Sequence, residues 1–227
     1  MRCDSKPAIH SQGRDSRASP LDNVKSFFGV LTKADSYRVE IAVCNIVEKT
    51  GFETNARFDL AIDRPDKARF WLIEGVGGPM ILTDGVTLQF WMRSIQRPQV
   101  VTSAPASISL IDSEDLLGSR AATLLRNNPV FIAEFLKGQP SEIIDRYLLN
   151  ARYLRIVSID SRECYMIRSE TNDLVLDAWF EIVDSYFLRR LELRGKKEGR
   201  GIVHRQDYKC WQLNCSYPDK FFESQRF

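Results

Sequence analysis

Apolar and polar residues alternate along the early part of the chain. Between residues 37 and 44 the large apolar side chains occupy the odd positions, and between residues 56 and 63 the apolar side chains occupy the even positions. Side chains of a β-strand point to opposite faces in turn, so this spacing predicts two strands, each with one buried face. Lys49-Thr50-Gly51 lies between them and predicts a turn.

The same pattern continues to residue 92 in shorter segments, at 68–74, 80–83 and 88–92. Arg64-Pro65-Asp66-Lys67 precedes the first segment and predicts a turn, since Pro fixes φ and Asp can bond its own backbone. Asp84-Gly85 stands between the last two segments and is a strong hairpin signal. Consecutive strands joined by tight turns predict an antiparallel meander rather than βαβ units.

Two stretches have helical spacing instead. Apolar residues at 21, 24, 27, 28 and 31 fall on one helical face, which predicts a helix over 21–31 that begins just after Pro20. From Asp112 to Leu149 the spacing predicts a helical insert, interrupted at Pro129, Gly138 and Pro140.

The chain returns to strands from Ala151 onward. Turns are predicted at Ser161-Arg162, Asn172-Asp173, Asp184-Ser185 and 195–199, which separate about five strands. In one of them Arg189 shares the spacing of Phe187, Leu191 and Leu193. The predicted fold is α+β and mainly β: a single antiparallel sheet of ten or eleven strands in one domain over residues 21–222, with residues 223–227 as a tail.

A sheet of this size tends to curl, and its concave face must be filled by side chains, covered by a helix, or left to hold a ligand. Large aromatic and unbranched residues dominate the candidate inner positions, and the two helical stretches could cover one opening. This pattern leaves two interpretations open, a solid core and a hydrophobic pocket. The candidate wall residues are Phe58, Leu60, Ile62, Phe70, Leu72, Leu88, Phe90 and Met92.

One segment carries a resemblance to a known family. A strand that ends in Arg64-Pro65 is followed by the aromatic strand at Arg69-Phe70-Trp71 and by the Asp84-Gly85 hairpin. This arrangement resembles the LolA/LolB-like lipoprotein-carrier superfamily, including its predicted periplasmic relatives, and the likeness extends over about residues 20–222. The chain departs from the family after the hairpin, where Phe90-Trp91-Met92-Arg93 replaces the usual Tyr-x-Pro.

The resemblance implies a half-open barrel of about eleven antiparallel strands, closed by helices, that shields acyl chains in an apolar cavity. It implies a carrier in the periplasm or cell envelope, with a lipid or an acylated protein as partner. The alternative is a filled scaffold that acts as an interaction or sensor module for an envelope protein. In the family's carriers the Arg of the Arg-Pro pair holds the helical lid closed, a role that falls here on Arg64; pairing with Asp63 or Asp66 in a solvated turn is the competing interpretation.

Composition narrows the classes of partner. The chain of 227 residues carries 32 Lys and Arg against 30 Asp and Glu, which gives no electrostatic footprint of a nucleic-acid binder. No apolar run is long enough to span a membrane.

Residues 1–20 lack the apolar stretch of a secretory signal and are predicted to be a disordered leader. Cys210 and Cys215 could form a small disulfide loop or, as the pattern favours, act as two independent strand residues.

Catalytic chemistry finds little support in the sequence. There are two histidines, His10 in the leader and His204 in a strand whose alternation predicts an exposed surface position. Asp177 and Glu181 alternate on the outer side of a strand, as solvated charges do. No Gly-rich phosphate loop, nucleophile elbow or zinc-binding motif is present. The sequence therefore predicts a protein that is not an enzyme and has no metal or other cofactor.

Overall fold

The fold is one antiparallel sheet of eleven strands with one helix, in a computed structural model that describes residues 19–75, 79–92, 100–108, 150–172, 174–182, 187–196 and 201–223. The elements within these ranges are α1 (Pro20–Lys33), β1 (Ser36–Val47), β2 (Phe52–Asp63), β3 (Lys67–Gly75), β4 (Pro79–Asp84), β5 (Thr87–Met92), β6 (Val100–Ser103), β7 (Arg152–Ile159), β8 (Arg162–Glu170), β9 (Leu174–Glu181), β10 (Leu188–Gly195) and β11 (Ile202–Leu213).

The strand order joins two meanders into one sheet. The order is β6-β5-β4-β3-β2-β1-β11-β10-β9-β8-β7, so the first and the last strand of the chain pair at the centre. The prediction of a single antiparallel sheet of ten or eleven strands is confirmed. Within the described ranges β6 and β7 form the two edges, and the strands do not close into a barrel.

Helix α1 begins earlier than the sequence pattern indicates. Ser19 is the N-cap, its side chain accepts a hydrogen bond from the Asp22 N–H, and the Asp22 side chain accepts one from the Ser19 N–H. This reciprocal pair satisfies two N–H groups that the first helical turn leaves open. Pro20, which was expected to precede the helix, is its first residue, and the helix continues to Lys33.

The two sharpest turns show how local chemistry determines the pairing. In the predicted Asp84-Gly85 hairpin, Asp84 Oδ1 accepts from the N–H groups of Val86 and Thr87 at 2.8 and 2.7 Å, and Gly85 has a φ of 89°. A side chain at Gly85 would also meet the Asp66 carboxylate. The β7–β8 turn is one residue earlier than predicted, because Asp160 and Ser161 take the left-handed conformation and Arg162 pairs with Ile159.

A bulge corrects the predicted alternation of β10. The register shifts between Leu188 and Arg190, so Leu188 becomes fully buried and Arg189 no longer shares a face with Leu191. An extra residue in one strand reverses the direction of the side chains that follow it. Leu188, Leu191 and the partly buried Leu193 contribute to the main core.

The predicted helical cover is present only in part. Helix α1 packs against the sheet through Val24, Phe27, Phe28 and Leu31, which are all buried. The predicted insert at 112–149, most of the predicted leader, and residues 224–227 of the predicted tail lie outside the described residues.

Candidate ligand-binding face

The predicted wall residues come together on one face of the sheet, which we call the inner face. β2 contributes three of them, β3 two and β5 two, and all seven belong to the main core: Phe58, Leu60, Ile62, Phe70, Leu72, Leu88 and Phe90. The side chain of the eighth, Met92, lies outside the description.

The strand register forms these residues into rows. One row crosses five adjacent strands, because Val39 pairs with Leu60, Leu60 with Phe70, Phe70 with Ile81, and Ile81 with Phe90. Val39 and Ile81 were not among the candidates selected from the sequence. Alternation had placed both in strands, but only the cross-strand register shows that they complete the row.

The inner face is filled with packed side chains in this structure. The seven wall residues have exposures between 0% and 5%. The rings of Phe58 and Phe70 are stacked with centroids 4.7 Å apart. Such packing is typical of a protein interior, so any ligand that reached this face would have to replace contacts that the protein makes with itself.

Helix α1 also packs against the inner face, but over the half of the sheet formed by β7 to β11. The Phe27 ring meets those of Phe180 and Trp211 edge to face, with centroids 5.9 and 5.4 Å apart. Asn23 Nδ2 donates a 2.7 Å hydrogen bond to the Tyr153 hydroxyl. The helix therefore contacts β7, β9 and β11.

Arg64 lies at the end of the inner face, in the turn between β2 and β3. Its backbone N–H donates to the Asp35 carbonyl at 2.9 Å, and its guanidinium carbon is 5.9 Å from the centroid of the Tyr37 ring. Guanidinium atoms Nε and Nη2 are buried and have no hydrogen-bond partner among the described residues. Burial raises the pKa of Tyr37, while the charge of Arg64 and a hydrogen bond from it act in the opposite direction.

The structure tests one of the two roles predicted for Arg64, the ion pair in the turn, but not the other, the contact with a helical lid. Asp63, one of the acids proposed to pair with it, instead lies 3.8 Å from the Lys67 ammonium, and no described residue forms an ion pair with Arg64. The lid role concerns the 112–149 insert, which lies outside the described residues, so that role stays a prediction.

Polar side chains form a hydrogen-bonded chain on the inner face, across β11, β1 and β2. The Tyr208 hydroxyl donates to Gln206 Oε1 at 2.5 Å, and Gln206 Nε2 lies 2.6 Å from His204 Nε2. His204 Nδ1 contacts Asn45 Oδ1, and Asn45 Nδ2 donates to Thr54 Oγ1 at 3.3 Å. The prediction that His204 is an exposed surface residue is wrong: it is 9% exposed, because Asn45 and Gln206 enclose it with polar partners.

The opposite face of β8 to β11, which we call the outer face, buries charge rather than exposing it. Asp177 and Glu181 are 1% and 2% exposed, so the prediction that they are solvated is wrong. Arg168 binds Asp177 through Nε and Nη2 at 2.6 and 2.8 Å, while Arg162 and Arg189 bind Glu181. The long arginine side chains cover the carboxylates and neutralise them, which allows their burial.

Two grooves lined entirely by described residues open away from the inner-face wall. The larger, of about 520 Å³, lies between the β3 and β4 ends and the segment Tyr217–Glu223, and mixes aromatic with charged residues. The smaller, of about 330 Å³, is lined by residues of β1, β2, β3 and β11, with Arg57 and Asp207 among them. Neither of them involves a predicted wall residue.

The described part of the chain contains no metal-binding cluster, no disulfide and no helix that could span a membrane. No described group of three or more His, Cys, Asp or Glu side chains is placed to hold a metal ion. Cys210 lies exposed in β11, Cys215 follows that strand, and both thiols are free. Among the described residues, no helix combines the length and hydropathy that crossing a bilayer requires.

Comparison with known proteins gives structural matches only. No protein-family model matches the chain, and no curated protein matches it in sequence. Among solved structures, a LolA superfamily protein from Nitrosomonas europaea matches at 16% identity and a TM-score of 0.39, over 92% of this chain and 99% of that one. An outer membrane lipoprotein-sorting protein domain from Vibrio parahaemolyticus matches at 8% identity and a TM-score of 0.38, over 89% and 95%.

A third match is MucB in its complex with MucA from Pseudomonas aeruginosa, at 9% identity and a TM-score of 0.43. It covers 90% of this chain but 59% of the MucB chain. The superfamily predicted from the sequence is thus represented among the structures that match. All three TM-scores are below 0.5, so these matches carry no information about the function of this chain.

Proposed function

We propose that this protein is a non-enzymatic carrier that holds a lipid or acyl chain against the inner face of its sheet. The observation that carries this proposal is the row of apolar side chains, Val39 to Phe90, that crosses five adjacent strands. Such a row offers an extended acyl chain continuous apolar contact. Burial contributes about 0.8 kcal/mol per CH₂, so a chain of about sixteen carbons gains on the order of 10 kcal/mol before ordering costs.

Loading requires the filled inner face to separate from its cover. The sequence resemblance assigns the cover to the helices, including the 112–149 insert, and assigns Arg64 to the contact that keeps it closed. A guanidinium suits this role because it has five donors for backbone carbonyls and a stem that can lie along an apolar wall. In this proposal the filled state is the closed, unloaded form of the carrier.

The partners in this proposal are a lipid or an acylated protein in the periplasm or cell envelope. The Arg-Pro and Asp-Gly signature of the lipoprotein-carrier superfamily supports that location and that class of ligand. The functional unit is the domain over residues 21–222.

A second function is favoured by one specific observation, the burial of the wall residues to 5% exposure or less. A sheet that is permanently filled would act as a rigid scaffold, and its exposed surfaces would then bind an envelope protein. In that case the inner face is core, and its rows of side chains serve stability alone.

Two measurements decide between these functions. Native mass spectrometry and lipid extraction of protein purified from cells show whether acyl species copurify. A fluorescent probe that becomes bright in apolar surroundings then tests the wall: Phe90→Asp should abolish its uptake. Val86→Asp is the matched control, since Val86 is 74% exposed in the neighbouring hairpin.

The outcomes separate clearly. Copurifying acyl species, with a folded Phe90→Asp variant that no longer takes up the probe, support the carrier. A bare protein mass together with Phe58→Asp and Phe90→Asp variants that both fail to fold identifies plain core and supports the scaffold.

A further inference from the structure

The guanidinium of Arg64 presents one empty edge. Its Nε–H and Nη2–H groups point in parallel from the side of the planar head, and both atoms are buried without a hydrogen-bond partner in the described part of the chain. Two parallel donors on a fixed fork match two oxygens of a carboxylate or phosphate.

The same edge is occupied elsewhere in this chain. Arg38 binds the Asp59 carboxylate through Nε and Nη2 at 2.7 and 3.2 Å, and Arg168 binds Asp177 through the same two atoms at 2.6 and 2.8 Å. In both cases two anionic oxygens satisfy the two donors. Arg64 has the same two donors, but no described residue supplies the oxygens.

No described residue supplies a counter-ion to Arg64. Asp63 faces Lys67, and the Tyr37 hydroxyl, whose pKa is raised by burial, is a neutral neighbour. Buried N–H donors without acceptors are costly for a protein to keep, because the Nε–H and Nη2–H groups have lost their hydration and gained no hydrogen bond from the described residues. An anion that arrived with a ligand would remove that cost.

Arg64 lies close to the row of apolar side chains on the inner face. Ile62, a wall residue, precedes Arg64 by two positions and pairs with Tyr37 in β1, whose ring lies beneath the guanidinium. A ligand whose tail lies along Leu60, Phe70 and Phe90 could therefore place its head at Arg64.

We propose that Arg64 binds the anionic head of the ligand, so that the protein selects amphiphiles with a carboxylate or phosphate group over those with a neutral head. This inference rests on the proposed carrier function and specifies its ligand class. In the loaded form, the anionic head of the ligand would accept hydrogen bonds from Nε and Nη2 of Arg64. The lid role of Arg64 concerns the closed, unloaded form instead.

The test compares three ligands with the same tail: dodecanoate, dodecyl phosphate and dodecanol, each below its aggregation concentration. We expect wild-type protein to bind the two anions at least about tenfold more tightly than the alcohol, as for a charge-assisted pair of hydrogen bonds. Arg64→Gln should remove this preference and leave dodecanol binding unchanged.

Arg64→Lys keeps the positive charge but lacks the two parallel N–H donors, and it should retain only part of the preference. Arg155→Gln is the matched control, because Arg155 is exposed on edge strand β7.

Each other outcome has its own meaning. Equal affinities for the three heads in wild-type protein would overturn the role of Arg64 but leave the carrier function standing. A uniform gain in affinity for all three ligands in Arg64→Gln would overturn it in favour of the lid role. Competition by inorganic phosphate that depends on Arg64 would identify a free anion as the occupant and overturn the assignment to an amphiphile. Failure of wild-type protein to bind any of the three would overturn the carrier function itself.

Discussion

Asp177 and Glu192 lie directly opposite each other on β9 and β10, and both are buried on the outer face. Like charges in this position repel, and the strand pair is stable only because arginines surround them. The Arg194 Nη2 is 2.7 Å from Glu192 Oε2 and 3.9 Å from Asp177 Oδ2. Arg168 also binds Asp177, and Arg205 also binds Glu192.

Removing Arg168 should destabilise the protein strongly. Among the described residues, Arg168→Leu leaves the buried Asp177 with Arg194 at 3.9 Å as its remaining arginine, so we expect a loss of about 3–5 kcal/mol in the free energy of unfolding. Urea denaturation at pH 7 measures it. The double variant Arg168→Leu/Asp177→Leu should cost less than Arg168→Leu alone, because no unpaired charge then stays buried.

Exposed Arg155 on β7 provides the control for this experiment. Arg155→Leu should change stability by no more than about 0.5 kcal/mol. A cost for Arg168→Leu as small as that of Arg155→Leu would show that the outer-face network contributes little to the fold.

Acid should weaken the same network. Burial opposes ionisation of Glu192, but hydrogen bonds from Arg194 and Arg205 outweigh it and lower its pKa below the ordinary value of 4.5. A carboxyl whose pKa is lower in the folded state stabilises the protein above its unfolded-state pKa, and this contribution is lost as the pH falls through the folded-state pKa.

We therefore expect the free energy of unfolding to fall as the pH drops below about 4.5, and Glu192→Gln to flatten part of that slope. Denaturation curves collected from pH 7 to pH 3 on both proteins give the comparison. Some slope should persist in the variant, because hydrogen bonds from the Thr87 and Val86 N–H groups also lower the pKa of Asp84 against the effect of its burial. Identical slopes in the two proteins would rule out a contribution from Glu192.

Strand alternation predicted much of this fold because it depends only on local geometry. The Asp84-Gly85 hairpin, the single antiparallel sheet and the shared face of Phe58, Leu60 and Phe70 all follow from a period of two and a turn signal. The bulge at Leu188/Arg190 could not be predicted, since it depends on pairing with β9 rather than on the β10 sequence itself.

Burial of polar groups was the main failure of the sequence interpretation. Alternation indicates which face a side chain occupies, but not what covers that face. Asp177 and Glu181 were placed on the outer side correctly, yet arginines from neighbouring strands cover both. His204 was assigned to the surface because Asn45, one of the two partners that enclose it, is distant in sequence. The empty edge of Arg64 likewise becomes visible only when the partners of every buried donor are known.

The N-cap of α1 offers a local test of helix stability. Ser19→Ala removes the acceptor for the Asp22 N–H and should cost about 1 kcal/mol in the free energy of unfolding. Ser26→Ala is the matched control, since Ser26 is exposed in the middle of the helix and alanine has the higher helix propensity there. Equal stabilities for the two variants would argue against a role for the capping box.

A cavity made in the inner face should bind an apolar ligand if the carrier proposal is correct. Phe58→Ala removes one ring of the stack with Phe70 and should cost about 3–5 kcal/mol in the free energy of unfolding. Dodecanol should then restore part of that stability, because a ligand that binds only the folded state stabilises it by mass action. Phe52→Ala is the control: Phe52 is 62% exposed, so its truncation should leave stability almost unchanged and create no site. A Phe58→Ala variant that dodecanol does not stabilise would mean that the inner face excludes acyl chains even when space is made for them, which favours the scaffold.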